Sequence, residues 1–345
     1  MPMANFRLSF ALPKRQQVAL VDTSGISILN EYIPQKDTSI IDIEHMNVFA
    51  LLRMIVAGKK SLFDYIIAYI KVFKPQFVFT FLDNNVDFYK LAAIFPKVKF
   101  IAIQNGHRAN YANQSGFGFF DLLKNESAKN KLSAHAICVL GTTAGNQYTQ
   151  YIQAKPVVTG SLKNNLIGNQ IKPTERFDIV YVSQHAPFEI PNSEVKFFFG
   201  NKSITAEEFY AIEQKIVRFL AAHSKQTGQS FAVLGKRTDS VSYEREFFVT
   251  AASPQEVQFI PRTSETSTYE FCNSASLIVT TDSTIGYEFL ARSNRVVFLS
   301  GRINAVSDEL SREIHDTDFG FPLELESAGP FWTNSANESD FEQVI

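Results

Sequence analysis

Cysteine is scarce in this chain of 345 residues, which contains only Cys138 and Cys272. The two lie far apart, and no CxxC pair or Cys/His ladder accompanies them, so a structural zinc site is not expected. Both lie among apolar residues, which favours buried free thiols in a reducing compartment. A basic excess is also absent, because 33 Lys and Arg stand against 35 Asp and Glu. This balance argues against a dedicated nucleic-acid-binding protein, and no nucleic-acid partner is expected.

Long apolar runs are missing as well. The most apolar region, Met46–Phe81, is interrupted by charged residues, so it predicts two helices, Met46–Ala57 and Ser61–Phe73, in place of a transmembrane span. The apolar side of the second helix is either a core face or a surface that rests on a membrane. In the second case lipid headgroups would lie near Lys59, Lys60, Lys71 and Lys74. We expect a cytoplasmic protein whose membrane contact is peripheral, at the inner face of the cytoplasmic membrane.

Three common motifs of phosphate binding and nucleophilic catalysis are absent. The chain has no GxGxxG after a predicted strand, no GxxxxGK[ST] and no GxSxG. Dinucleotide binding, a P-loop and a hydrolase nucleophile elbow therefore have no support. We expect neither a cofactor nor a metal ion.

Short apolar runs alternate with helical stretches, which is the pattern of open parallel sheets. In the first half the predicted strands are Val18–Asp22, Ser39–Ile43, Phe77–Asp83, Lys99–Asn105, Ala134–Gly141 and Pro156–Gly160. In the second half they are Asp178–Ser183, Ser230–Leu234, Val257–Ile260, Ser276–Thr281 and Arg295–Leu299. The longest predicted helix is Ala206–Thr227, which Gly228 ends. The polar stretch Lys163–Phe177 is the predicted linker. We therefore predict an α/β protein of two doubly wound, Rossmann-like domains facing a cleft, residues 1–165 and 175–345.

Ligands of such sheets bind beyond the carboxyl ends of the strands, so the residues after each strand are the candidates. In the first half, Asp83 follows one strand, and His107 and Arg108 follow the next. A carboxylate and an imidazole facing one crevice could serve as a general base and its orienting partner. The alternative is local capping, with Asp83 opening the next helix.

In the second half, polar residues follow several successive strands. They are Ser183 and Gln184 after the first, Lys236 and Arg237 after the second, and Ser283 and Thr284 after the fourth, with Glu288 one turn on. Hydroxyls at a helix N-terminus suit a phosphate, and the two cations would balance its charge. We expect the small Gly286 to let a ligand approach the backbone. The alternative is an ordinary helix cap at Ser283 or Thr284.

The segment Thr266–Gly301 reads YEFCNSASLIVTTDSTIGYEFLARSNRVVFLSG over most of its length and resembles the donor half of GT-B glycosyltransferases. FTFLDNNVDFYKLAAIFPKVKFIAIQNGHR and GFPLELESAGPFWTN resemble bacterial surface-carbohydrate transferases. Gly160-Ser161-Leu162-Lys163 is similar to the glycine-bearing hinge loop of that class. Within the class, the chain is similar to β-Kdo transferases of O-antigen and capsule assembly.

The resemblance implies a metal-independent transferase with a nucleotide-sugar donor, CMP-Kdo above all, and a glycan or lipid-linked acceptor. It places donor-binding residues in the C-terminal half and at Ser161, with Glu288 on the ribose. The acceptor side would carry Asp83, His107 and Arg108.

Other functions remain open on the sequence. A nucleotide-sugar epimerase of the same fold would turn over the donor without an acceptor, and a binding protein would show no turnover. CDP-glycerol-type polymer transferases share the Asp-Ser-Thr-like turn. They usually carry His-Pro where this chain has Gly235-Lys236-Arg237.

Overall fold

The computed structural model describes residues 7–11, 17–42, 45–108, 112–113, 119–167, 175–186, 191–199, 202–238, 241–264, 266–301 and 328–345. Within them the strands are β1 Arg7–Ser9, β2 Val18–Val21, β3 Thr38–Ile41, β4 His45–Asn47, β5 Phe77–Thr80, β6 Lys99–Ile103, β7 Ala112–Asn113, β8 Ser133–Val139, β9 Gln153–Val158, β10 Ile179–Val182, β11 Lys196–Phe199, β12 Lys202–Thr205, β13 Phe231–Leu234, β14 Gln258–Ile260, β15 Leu277–Thr280, β16 Val296–Leu299, β17 Ala328–Gly329 and β18 Trp332–Thr333. The α-helices are α1 Ile26–Asn30, α2 Val48–Val56, α3 Leu62–Phe73, α4 Val86–Ile94, α5 Phe119–Ser127, α6 Thr142–Thr149, α7 Leu162–Ile167, α8 Ala206–Thr227, α9 Val241–Ala252, α10 Ser267–Ser274, α11 Thr284–Leu290 and α12 Glu338–Val344.

The chain divides into two compact units, one of Met1–Gly106 and Phe120–Leu166, the other of His107–Phe119 and Ile167–Ile345. The sequence analysis assigns 107–119 to the first domain. In the structure this segment belongs to the C-terminal unit, where its strand β7 pairs with β11. We call the two parts the N-terminal and the C-terminal unit.

The N-terminal unit is built on a parallel sheet in the order β3-β2-β5-β6-β8-β9. All its strands overlap predicted ones, usually shorter by one or two residues at the ends. A separate pair joins β1 to β4 in parallel. Helix α3 begins as predicted, since Ser61 and Asp64 form a capping box. Its apolar face is buried, which confirms the core alternative for this helix.

The C-terminal unit contains a second sheet in the order β14-β13-β10-β15-β16-β18-β17, parallel except for the β17–β18 pair. Alternate residues of β10 point to opposite faces. Ile179 and Tyr181 join one apolar cluster with α8 and α9, and Val180 and Val182 join another with α10 and α11. A sheet covered by helices on both faces explains why its strands are continuous apolar runs. The predicted α/β class with parallel sheets is confirmed.

The predicted linker is wrong in its first part. Residues from 163 to Ile167 belong to α7, and Phe177 is buried in the core of the C-terminal unit. Residues 168–174, and 320–327 of the GFPLELESAGPFWTN segment, lie outside the described residues. The predicted helix from Met46 also begins two residues late, because Met46 pairs in β4 and Asn47 caps α2.

Among the described residues, no helix combines the length and the apolar character that crossing a bilayer requires. Cys138 and Cys272 are both free thiols. Cys272 is buried as predicted, whereas Cys138 is half-buried.

Candidate functional site

Three strand ends converge in the C-terminal unit. Strands β13, β10 and β15 are neighbours in the sheet, and Val182 at the end of β10 pairs with Leu234 on one side and Thr280 on the other. Because all three strands run in parallel, the loops that follow them start at the same edge. The sheet therefore brings together the strand ends that the sequence analysis selected.

A buried carboxylate, Glu244 of α9, holds two of these loops. It accepts hydrogen bonds from the Ser183 hydroxyl (2.6 Å) and from the backbone N–H groups of Lys236 (2.9 and 3.1 Å) and Arg237 (3.3 Å). Burial raises the pKa of Glu244, and these hydrogen bonds oppose the rise. A Cβ at Gly235 would lie 3.2 Å from the Glu244 Oε2 atom and 2.8 Å from Phe259, so glycine is needed for this approach. The Ser183 hydroxyl thus holds a loop in place.

A second buried acid, Glu213 of α8, fixes the loop after β10 from another side. Its Oε2 atom accepts the backbone N–H of Gln184 (3.0 Å) and the Tyr181 hydroxyl (2.8 Å). The ammonium group of Lys236 donates to the carbonyl oxygen of Gln184 at 3.1 Å. Lys236 therefore links the β10 and β13 loops and is only half-buried. Neither buried acid was predicted, since Glu213 lies inside α8 and Glu244 in the first turn of α9, with no motif around either.

His185 follows Gln184 and is fully buried. Its ring stacks on Phe247 at 3.9 Å between centroids and meets the edge of Tyr210 at 4.7 Å. Within the described part of the chain, neither ring nitrogen has a hydrogen-bond partner. Burial, aided by the Lys236 charge, lowers the pKa of His185 to about 3, so the ring is neutral at physiological pH.

The turn after β15 meets the segment that starts at His107. The backbone N–H of His107 donates to the Thr284 hydroxyl at 2.9 Å, and the imidazole stacks on Tyr287 at 5.0 Å. Burial lowers the pKa of His107, with Arg108 adding to the effect and Asp282 opposing it. The Thr284 oxygen accepts this bond and keeps its own hydrogen to donate. A predicted acceptor-side residue and a predicted donor-side residue are therefore in contact.

Ser283 and Gly286 stabilise α11 and its packing. The Ser283 hydroxyl caps α11 by accepting the N–H of Ile285 at 3.4 Å, as the helix-cap alternative predicts. A Cβ at Gly286 would lie 2.8 Å from both Phe298 and Thr280, so packing by itself requires glycine here, and the approach of a ligand stays a prediction. This glycine lets α11 pack on the sheet.

Glu288 points toward α10. Its Oε2 atom accepts the Tyr269 hydroxyl at 2.5 Å, and the side chain is buried. Burial and the nearby carboxylate both raise the pKa of Tyr269. The predicted ribose ligand is thus engaged with a neighbouring helix.

Arg108 places its guanidinium 5.8 Å from the ring centre of Phe119, a cation–π contact.

In the N-terminal unit, Asp83 is fully buried. Its carboxylate accepts the Tyr148 hydroxyl and, at 3.1 Å, the N–H of Asn105, while its carbonyl oxygen accepts the Tyr89 hydroxyl at 2.6 Å. The capping alternative is wrong in detail, since Asn85 caps α4. This bonding favours a residue that ties the β5 and β6 loops together over a group that moves protons.

Ser161, also in the N-terminal unit, accepts the N–H of Asn164 at 3.2 Å and so supports the first turn of α7. Gly160 before it has a φ of +65°, a conformation that favours glycine. No group of His, Cys, Asp and Glu side chains suited to a metal ion occurs among the residues described.

Residues 101–345 match the model of a protein family described as “putative O-antigen biosynthesis protein”. No curated protein sequence matches the chain.

Solved structures resemble it at low identity. One, described as a “putative UDP-N-acetylglucosamine 2-epimerase from Listeria monocytogenes”, is 11% identical over 96% of this chain and 86% of the other, with a TM-score of 0.51. Anabaena HepE in complex with UDP and glucose is 10% identical over 95% and 88%, with a TM-score of 0.50. The wall teichoic acid polymerase TagF with CDPG is 10% identical over 95% and 79%, with a TM-score of 0.51. These likenesses confirm the predicted GT-B type of fold.

Proposed function

The chain belongs to this family of O-antigen biosynthesis proteins, and we propose that it is a glycosyltransferase that uses a nucleotide-sugar donor. The acceptor is a growing surface glycan or its lipid-linked precursor, and the reaction needs no metal ion. The observation that carries the proposal is the contact between His107 and Thr284 at the carboxyl edge of the sheet. The hydrogen bond runs from the His107 backbone N–H to the Thr284 hydroxyl, and so it places the proposed phosphate-binding hydroxyl beside the residue whose imidazole is the proposed base.

Each group has a chemical role in this proposal. The Thr284 hydroxyl donates to a donor phosphate oxygen, and Lys236 and Arg237 offset the negative charge that develops on the leaving nucleotide. An acceptor hydroxyl attacks the anomeric carbon, the bond from that carbon to the phosphate oxygen breaks, and the acceptor proton passes to a base. His107 can take that proton near pH 7, because its lowered pKa leaves the ring neutral. Ser183, Gln184 and Glu288 shape the nucleoside end, and Asp83 holds the loops of its own unit.

The donor proposed first is CMP-Kdo, and this choice rests on the sequence resemblance alone. UDP-sugars and CDP-glycerol are the other candidates, because structures of the same fold are named for UDP or CDPG complexes. The three kinds of donor are distinguished by whether CMP, UDP or CDP raises the melting temperature of the protein.

A second function, nucleotide-sugar epimerisation, has one specific observation in its favour. The Listeria monocytogenes structure of the same fold is named as an epimerase. An epimerase converts the donor when no acceptor is present, whereas a transferase needs both substrates to form a glycoside.

The experiment has two stages. Thermal unfolding is measured with CMP, CDP, UDP and GDP, since a ligand of the folded state raises the melting temperature. The matching sugar nucleotide is then incubated with and without a lipid-linked glycan, and products are identified by mass spectrometry. Product only with the acceptor supports transfer, and epimerised donor without acceptor supports the alternative. Failure of every nucleotide to stabilise the protein would overturn both.

Thr284→Val tests the site itself. A hydrogen bond to a charged group contributes about 1.5–3 kcal/mol, so nucleotide affinity should fall about tenfold or more. Thr250→Val is the matched control, because Thr250 is exposed on α9. Equal affinity of the two variants and the wild type would place the phosphate elsewhere.

A further inference from the structure

Helix α2 leaves an apolar face uncovered. It buries Ala50 and Met54, yet Leu52 is 52% exposed, Ile55 56% and Val56 87%. A nine-residue helix that only completed a core would show polar side chains on the outside. Exposed neighbouring aliphatic side chains indicate a surface that meets an apolar partner.

Strand β1 extends this face. Leu8 is 52% exposed and Phe10 is 72% exposed. Leu8 pairs with Met46 in β4, the strand that leads directly into α2. The Asn47 side chain caps α2 and donates to the carbonyl oxygen of Ala11 at 3.0 Å, which holds the end of this segment beside the start of the helix. We call Leu8, Phe10, Leu52, Ile55, Val56 and the 48%-exposed Leu62 the α2 face.

The charges on the same segments have one sign. The exposed cations are Arg7, Arg53, Lys59 and Lys60. Residues 45–63 contain no Asp or Glu, and Asp64, which follows them, is engaged in the capping box of α3 and lies 4.0 Å from Lys59. Aliphatic groups bordered by cations match a layer that is apolar inside and anionic at its surface.

We propose that the α2 face docks onto an anionic lipid bilayer. The aliphatic side chains enter the boundary of the acyl chains, and Lys59, Lys60 and Arg53 lie among the anionic headgroups. The face is mainly aliphatic, with Phe10 as its aromatic member, and the described exposed charges on its segments are cations, which favours an anionic bilayer over the aromatic-rich centre of a protein interface. The proposal does not depend on the proposed transfer reaction, because binding is measured without donor or acceptor.

The proposed membrane contact is smaller than the region that the sequence predicts, because it includes the α2 face and excludes most of α3. Apart from Leu62 at its start, α3 turns its apolar side to the core, where Ile66, Ile70 and Phe73 are buried, so the body of that helix has no apolar side to insert. Lys71 and Lys74 lie at its far end, about 16 Å along the helix from the Lys60 loop at a rise of about 1.5 Å per residue. These two lysines therefore form the matched control for Lys59 and Lys60.

The test is flotation with vesicles of phosphatidylcholine mixed with phosphatidylglycerol, compared with phosphatidylcholine alone. The wild type should float with the anionic vesicles. Lys59→Gln with Lys60→Gln should lower the partition coefficient roughly 25-fold, at about fivefold per lysine. Ile55→Gln with Val56→Gln should lower it at least about tenfold, since both side chains lose apolar burial. Lys71→Gln with Lys74→Gln should change it less than about twofold.

Circular dichroism melting checks that each variant folds, which is expected because every substituted side chain is exposed. Absence of flotation by the wild type would overturn the proposal. Unchanged flotation of the Ile55/Val56 variant would do the same. Sedimentation showing a dimer that the Ile55/Val56 variant abolishes would assign the face to a second copy of the chain.

Discussion

The buried imidazole of His185 should make the C-terminal unit sensitive to acid. The ring is enclosed by aromatic side chains, and its pKa falls to about 3 from an ordinary value of 6.5. Between these values the unfolded chain binds a proton that the folded chain excludes. The free energy of unfolding therefore decreases progressively as the pH drops below about 6.5, and the decrease is complete near pH 3.

The magnitude follows from the same two values. Each pH unit in this window changes the free energy of unfolding by about 1.4 kcal/mol. At pH 5, about 1.5 units below the ordinary pKa, the loss is about 2 kcal/mol relative to pH 7.5. His185→Phe removes the titrating group and keeps an aromatic ring against Phe247. The free energy of unfolding of the wild type minus that of the variant should fall by about 2 kcal/mol between pH 7.5 and 5.

Urea unfolding at several pH values measures this difference. The single tryptophan, Trp332, is buried in the core of the C-terminal unit, so its fluorescence reports the unit that contains His185. His135→Gln is the control, since His135 is exposed on β8. Parallel pH curves for wild type and His185→Phe would show that the ring takes up its proton in the folded state, and the reasoning would fail.

Two further predictions concern packing at the candidate site. Gly286→Ala should lower the free energy of unfolding by about 1–2 kcal/mol in urea titrations, because a Cβ 2.8 Å from the buried Phe298 costs more than the gain in helix propensity. Gly141→Ala, with no atom within 4 Å of the added Cβ, should be nearly neutral, and a stable Gly286→Ala protein with weaker nucleotide binding would support the ligand-approach interpretation. Glu244→Ala should cost about 3 kcal/mol and weaken nucleotide binding in calorimetric titrations, because it leaves two backbone N–H groups and a hydroxyl unpaired, whereas the exposed Glu246→Ala should change neither. Equal stability and equal nucleotide affinity of the two glutamate variants would contradict the role of Glu244 in holding the loops after β10 and β13.

Local patterns in the sequence were sufficient for the strands of the N-terminal sheet and for five of the seven strands of the C-terminal sheet, β17 and β18 being missed. Helix α8 starts and ends at the predicted residues, because Thr205 with Glu208 forms a capping box and Gly228 takes a φ of 71°. Such signals act over a few residues and depend little on the rest of the chain. Elements that lack such local signals were missed. Helix α7 was taken as linker, and β1 and the β11–β12 pair lack a clear period.

Parallel pairing, read from the alternation of strands and helices, was enough to bring Ser183, Lys236 and Thr284 to one edge of a sheet. What these side chains do there depends on partners remote in sequence. Glu244 lies 61 residues from the Ser183 hydroxyl that it accepts, and His107 lies 177 residues from Thr284. No local pattern marks such pairs, because burial, hydrogen bonding and pKa shifts depend on which elements the tertiary fold packs together. The sequence determined where strands end and which polar residues follow them. Only the folded chain decided that Asp83, Ser183 and Glu288 are engaged by neighbouring side chains, and that the apolar surface left uncovered belongs to α2.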